Sequence, residues 1–274
     1  MFEAERARSS AQSAFATLEL IFHASVRHVR QGHGNAVLGL LLNMVQTVVL
    51  VLVFYTMMTL MGSNRAAAVR GNFVLYVMSG VFMFMTHSKA LGAVAGAEGP
   101  TSAMMKHAPM NTIVSIASSA LSSLYLQILS ASCVLYGYHA AFTPITIHDP
   151  VGAMGMMLLS WASGVAIGMI FLAAKPWAPD VFGVVTMVYM RANMIASGKM
   201  LIANQAPHKI RQWFDWNPLF HTIDQGRGFV FMNYHPHYTS IGYAVKVTCV
   251  CFVIGMMAEF YTRKHISASW FSKR

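Results

Sequence analysis

An enzyme of this length would be expected to gather acids, bases and nucleophiles at one place, and the acids of this chain do not gather. Its nine carboxylates are Glu3, Glu5, Glu19, Glu98, Asp149, Asp180, Asp215, Asp224 and Glu259. None falls in the middle of an apolar stretch, where an intramembrane hydrolase or a proton-coupled carrier needs a titratable group. Ser163-Gly164 has the look of a small-residue nucleophile turn, but the last apolar segment has no histidine to activate it, so helix packing is the expected role. His235-Pro236-His237 could contribute two metal ligands and lacks a third nearby, so an interfacial turn is expected. Gly198-Lys199 lacks the upstream glycine and the following Ser or Thr of a phosphate loop. Cys249 and Cys251 are two apart, on different helix faces, and with Cys133 they read as small buried hydrophobes. The expectation is no catalytic residue, no metal and no cofactor bound by this chain.

Arg191 is the most informative single residue. It sits about ten residues into an apolar segment starting near residue 181, roughly 15 Å deep. A charge at that depth costs several kcal/mol and faces a partner or a cavity. Two readings stand: pairing with a carbonyl or phenol at a helix contact, or lining a path for an anionic substrate. Lys199 is expected to snorkel to the outer surface.

The elements that must position these groups are set by composition. Hydrophobic residues make up 56% of 274, charged residues only 10%, and the mean hydropathy is +0.51. A soluble domain carries about 25% charged residues, so this chain cannot cover a globule. A spanning helix needs about 20 apolar residues, and six such blocks occur, at 36–61, 72–97, 110–138, 151–174, 181–204 and 240–261. The chain is therefore expected to be an all-α membrane protein with about six transmembrane helices. Residues 1–35 form an N-terminal tail and an amphipathic helix: Phe15, Leu18, Phe22, Val26 and Val29 recur at helical spacing, beside a face of Glu19, His23, Arg27 and Arg30. That helix suits the inner interface or a packed partner. The N-terminal lead is expected not to be a cleaved signal.

Residues 36–274 form the transmembrane domain. Most connectors are short and carry breakers such as Pro144 and Asp149-Pro150. The one after 204 is long and too aromatic for a solvated loop, with Trp213, Trp216, Phe220, Tyr234 and Tyr238. It is expected to fold back onto the bilayer as a re-entrant outer region over 200–239. With both termini inside, inner tails and loops hold ten Lys/Arg and outer loops five, which favours cytoplasmic termini. The net charge of +10 is scattered, with no basic run longer than two, so it reads as membrane-leaflet contact and not as nucleic-acid binding.

Three stretches together resemble the membrane-spanning subunit of capsular-polysaccharide exporters, within the ABC-2 type permeases. Trp216-Asn217-Pro218-Leu219-Phe220-His221 precedes Asp224, Arg227, Gly228 and Tyr234 and then the last span. Lys106-His107-Ala108-Pro109, followed by Asn111, lies in the inner loop, and Arg27-His28-Val29-Arg30 leads through Gly39 into the first span. Asn111 stands where the family commonly has an acid, and the arginine expected early in the third span is absent, with Ile116 to Ser119 small or apolar.

The resemblance implies a homodimer in the bacterial inner membrane, driven by a separate nucleotide-binding ATPase that holds ATP and Mg. It also implies a possible periplasmic polysaccharide co-polymerase as a further partner. An inner coupling loop at 98–109 (Glu98, Gly99, Pro100, Lys106, His107, Pro109) would dock on the ATPase. An outer gate would be built on Trp216, Asn217, Pro218 and His221. The substrate path would use Arg191 and Lys199, with Tyr55, Tyr76, Phe84 and Tyr189 stacking on sugar faces as aromatic platforms do on bases, though ordinary helix packing explains each ring too. The expected cargo is an anionic capsular polymer. Lipid-linked O-antigen, another glycolipid or a small molecule is the alternative, and a membrane enzyme of lipid-linked sugar metabolism the more distant one.

Overall fold

The computed structural model of the protein describes residues 10–31, 36–60, 72–97, 99 and 112–265. Among these residues every regular element is a helix: α1 (Ser10–Gln31), α2 (Ala36–Leu60), α3 (Phe73–Ala95), α4 (Thr112–Ala141), α5 (Pro150–Ala174), α6 (Pro179–Ala196), α7 (His208–Arg211), α8 (Pro218–Val230) and α9 (Ile241–His265). Five are long and apolar enough to cross a membrane: α2, α3, α4, α5 and α9. The chain thus has the character of a membrane protein.

Helix starts follow local chemistry. The Asn72 side chain accepts from the Val74 and Leu75 amides at the head of α3, at 2.9 and 3.4 Å. Asp149 caps α5 through the Val151 and Gly152 amides, both at 3.0 Å, with Pro150 pre-set for the first helical position.

The fifth expected span, 181–204, meets α6, which has 18 residues and ends at Ala196. Eighteen residues, about 27 Å at 1.5 Å per residue, is near the lower limit for a span, and with Asp180, Arg191 and Asn193 the helix is not apolar enough to stand with the other five. The stop is physical. Gly198 takes φ +61, a left-handed conformation that glycine adopts without cost, and a side chain there would run into the Phe220 ring.

α3 is the buried axis of the bundle, while α2 and α9 are largely exposed. α3 and α5 run parallel at close range: a Cβ on Gly164 would strike the His87 carbonyl, and one on Gly168 would lie 2.9 Å from the Leu91 oxygen. α9 follows α5 in the same sense, with Gly255 against Ala166 and Met169 and the Thr262 hydroxyl donating to the Ala173 carbonyl at 2.9 Å. Two apolar clusters stack along α3. One joins Val81 and Phe82 to Phe54, Leu219 and Ile223, and the other joins Ala90 and Val94 to Ile116 and Leu172.

α8 lies antiparallel along the first half of α5. The Ser160 hydroxyl meets that of Thr222 at 2.9 Å, and Phe229 covers Gly152. The last carbonyls of α8, on Phe229 and Val230, accept from the Asp149 and His148 amides at 2.8 and 3.2 Å, so its C-terminal end is not left unsatisfied. α1 packs on α4 through buried Ala24 and a 3.4 Å contact between His28 and Ser119, while Phe15, Leu18, Phe22 and Val26 stay exposed. The expected apolar stripe of that helix therefore faces away from its own chain.

Candidate functional site

A groove of about 580 Å³ opens between α2, α3, α6 and the turn joining α5 to α6. It carries Lys89 from α3, Lys175 from the end of α5 and Arg191 from α6, and no carboxylate among its lining residues. Arg191 is exposed on the groove surface, about 18 Å along α6 from Pro179. The Lys89 ammonium donates to the Gln46 side-chain oxygen at 2.7 Å, tying α3 to α2. An open groove with three cations and no acid attracts anions, and its remaining wall is apolar and aromatic, including Phe84 and Phe171.

Phe84 links this groove to a second set of buried cations. The Lys199 ammonium sits 3.3 Å from the Phe84 ring centre and 4.4 Å from that of Phe54, almost wholly buried. Contrary to expectation, Lys199 does not snorkel. The left-handed turn at Gly198 directs it inward, and its ammonium has no hydrogen-bond acceptor among the described residues. Two ring faces replace that acceptor, an arrangement worth about 2 kcal/mol when desolvated. The Lys199 carbonyl accepts from Arg227, as does that of Leu201 at 2.8 Å. Arg227 is fully buried with its guanidinium 4.0 Å from the Tyr76 ring centre, and the Tyr76 hydroxyl also donates to Leu201, at 3.2 Å. One turn earlier on α8, the Asp224 carboxylate accepts from the Tyr234 phenol and, at 2.8 Å, from Thr239. Burial and the neighbouring carboxylate push the Tyr234 phenol up from its ordinary value, so it stays a donor.

Of the path residues expected from sequence, Arg191 and Phe84 line the groove, Lys199 lies behind Phe84, and Tyr76 joins Arg227. Tyr55 packs instead on Phe73, with ring centres 5.6 Å apart, and Tyr189 on Phe171 at 5.5 Å. Lys89, Lys175 and Arg227 were not anticipated as members of the set. The available signal was Lys89 itself, one of only two basic side chains in its apolar block, the other being His87.

The outer motif residues converge. The Asn217 oxygen caps α8 through the Leu219 amide at 3.0 Å, while its nitrogen donates to Asn193 at 2.6 Å and to the Ala196 carbonyl at 2.9 Å. One amide thus starts α8 and fastens it to the end of α6, with Pro218 in the first helical position. The His221 ring accepts from the Ser240 amide at Nδ1, 3.0 Å, so Nε2 carries the proton and donates to the Asp215 carbonyl at 2.8 Å. Trp216 is exposed, bonds the Trp213 carbonyl at 2.8 Å, and offers its own carbonyl to Tyr243 at 3.0 Å. The aromatic connector therefore divides: Trp213, Trp216 and Tyr238 face outward, whereas Phe220 and Tyr234 are core. Asn217→Ala is expected to cost about 2 kcal/mol, from a lost cap and an unpaired Asn193. Asn217→Asp keeps the capping oxygen but sets a buried carboxylate oxygen against the Asn193 and Ala196 oxygens, and is expected to cost more. Equilibrium unfolding in micelles measures both, and equal losses for the two variants would discard the double role.

Ser163 does have a histidine beside it, supplied by α3: His87 Nδ1 lies 2.9 Å from the Ser163 oxygen. The hydroxyl proton, however, goes to the Ser160 carbonyl at 2.8 Å, which makes the imidazole the donor, and both residues are buried. That is the wrong polarity and the wrong access for an activated nucleophile. His235 and His237 are held by backbone bonds to Asn204, at 2.7 and 3.1 Å, and no group of three metal-ligating side chains occurs among the described residues. Of the inner-loop set, Glu98, Pro100, Lys106, His107 and Pro109 lie outside the described residues, and Gly99 sits near Leu172 beyond the end of α3. The comparisons give no family model that matches the chain and no similar curated protein.

Proposed function

We propose that this chain is the membrane-spanning subunit of an ATP-driven exporter of an anionic polysaccharide, with the α2–α3–α6 groove as part of the path. The observation that carries the reading is the groove itself. Arg191, Lys89 and Lys175 line an open surface of a single copy, on helices of a membrane protein. An uncompensated charge facing lipid at depth costs several kcal/mol, so a second copy of the chain covers the groove and leaves an aqueous passage between the two. The likeness of residues 216–221 to the outer motif of capsular-polysaccharide permeases supports the same class.

On this reading both termini are cytoplasmic. A separate ATPase binds ATP and Mg and docks on the 98–109 loop, and a periplasmic polysaccharide co-polymerase continues the route. The segment from Gly198 to Thr239, with Asn217, Pro218 and His221 fixing α8 and Trp216 at its edge, is the re-entrant gate. Irregular backbone such as that at 197–207 is tolerated at depth only against protein or water, and Arg227 supplies the protein contact. Arg191→Ala is expected to lower surface polysaccharide about tenfold in cells carrying only that variant, while the protein still inserts and still co-purifies with its ATPase. Unchanged surface polymer would take Arg191 out of the path. Loss of lipopolysaccharide staining in place of capsule would redirect the substrate to O-antigen.

A further inference from the structure

Behind α2 lies a second cavity of about 420 Å³, which shares Gln46, Ser88 and Lys89 with the cationic groove. Its walls differ in kind. α2 contributes Asn43 and Gln46, about 10–15 Å along the helix from Ala36. α4 contributes Ser122, Ser123 and Gln127, and His28 of α1 lines it as well. Asn43 bonds Ser130 at 2.8 Å and accepts from Gln127 at 3.3 Å, which braces these amides. The two serine hydroxyls donate to the Ser119 and Ala120 carbonyls, at 2.9 and 2.7 Å, so their oxygens retain lone pairs for an incoming donor. The Lys89–Gln46 bridge stands where the two cavities meet.

The wall is amphipathic. Amides, hydroxyls and imidazole, with one ammonium at its edge, stand among Val29, Leu42, Leu126 and Met190, so it discriminates by hydrogen bonds and apolar contact more than by charge. Its volume falls in the lower part of the ~300–1,000 Å³ range of small-molecule sites. These groups are already bonded to one another and to backbone carbonyls, so what they offer an occupant is their spare acceptor lone pairs. We propose that this cavity is a binding site for a neutral, hydroxyl-rich headgroup, a sugar residue of an amphiphile, with Lys89 and Gln46 at the junction to the anion-attracting groove. Its role in transport rests on the exporter reading; its capacity to bind sugar does not.

The test uses the purified chain in phosphatidylcholine nanodiscs. The probes are a photoreactive octyl β-glucoside and, as reference, a photoreactive octanol with the reactive group at the same carbon. The glucoside is expected to label peptides within 36–60 and 112–141 at least fivefold above octanol, and unlabelled octyl glucoside competes. Ser123→Phe, which fills the cavity, is expected to bring labelling down to the octanol level. Gln46→Leu, at an exposed position, is expected to lower it about threefold while the protein stays folded, and it decides the matter if Ser123→Phe does not fold. Equal labelling by both probes, or undiminished labelling in a folded Ser123→Phe or Gln46→Leu variant, overturns the proposal and leaves a cavity that holds water only. The exporter reading fails differently: Arg191→Ala cells would keep their surface polymer while glucoside labelling stays intact.

Discussion

Arg227→Met is expected to lower the unfolding free energy by about 2–4 kcal/mol, because it leaves one buried carbonyl without a donor, at ~1–3 kcal/mol, and a second with only the Tyr76 hydroxyl. Those carbonyls belong to Lys199 and Leu201, in the irregular chain after α6. The guanidinium that serves them is fully buried over Tyr76. Methionine matches much of the aliphatic stem, so packing changes little and the loss reports the hydrogen bonds. Arg227→Lys is expected to recover less than half, since an ammonium cannot hold the forked geometry while stacking flat on a ring. Titration with a denaturing detergent, followed by circular dichroism in mixed micelles, measures both variants. A change below about 1 kcal/mol for the methionine variant would show that the post-α6 segment is held by something else.

Gly164→Val is expected to cost about 3 kcal/mol, at the upper end of the ordinary penalty for overpacking. The obstruction is the His87 carbonyl and Cα, backbone atoms that cannot rotate aside. The helices must separate, and the Ser163–His87 contact opens with them. Gly155, on the same helix, faces open space. Gly155→Ala is therefore expected to be neutral or slightly stabilising, by less than about 1 kcal/mol, through helix propensity alone. Running the two variants side by side in the same unfolding assay separates close packing from propensity. A Gly164→Val protein as stable as Gly155→Ala would mean that α3 and α5 do not approach as described.

Much of the bundle was legible because spanning helices announce themselves by uninterrupted apolar length, and the limits of α2, α3 and α5 fall close to the expected blocks. α6 was not, because hydropathy averages over a window and cannot register one glycine turning left at 198. The site was readable one residue at a time: Arg191 stood out by depth and Asn217-Pro218 by the motif. What could not be read was which helices bring their polar groups together. Lys199 looked free to reach the surface, yet the turn before it and Arg227 beyond it, 28 residues later in the chain, keep it between two rings. The serine of α5 found its histidine on α3 and not on the last helix, since parallel packing of those two helices is a property of the fold and not of spacing.

The brevity of α6 also bears on how the protein is made. A helix of 18 residues with an arginine two-thirds of the way along is a poor candidate for release from the translocon into lipid by itself, since the arginine alone opposes insertion by ~2.5–3.5 kcal/mol at a helix centre. Its C-terminal end is secured by Asn217, and the irregular chain that follows it by Arg227, both on chain synthesised later. Integration of α6 is therefore completed only after α8 has emerged from the ribosome.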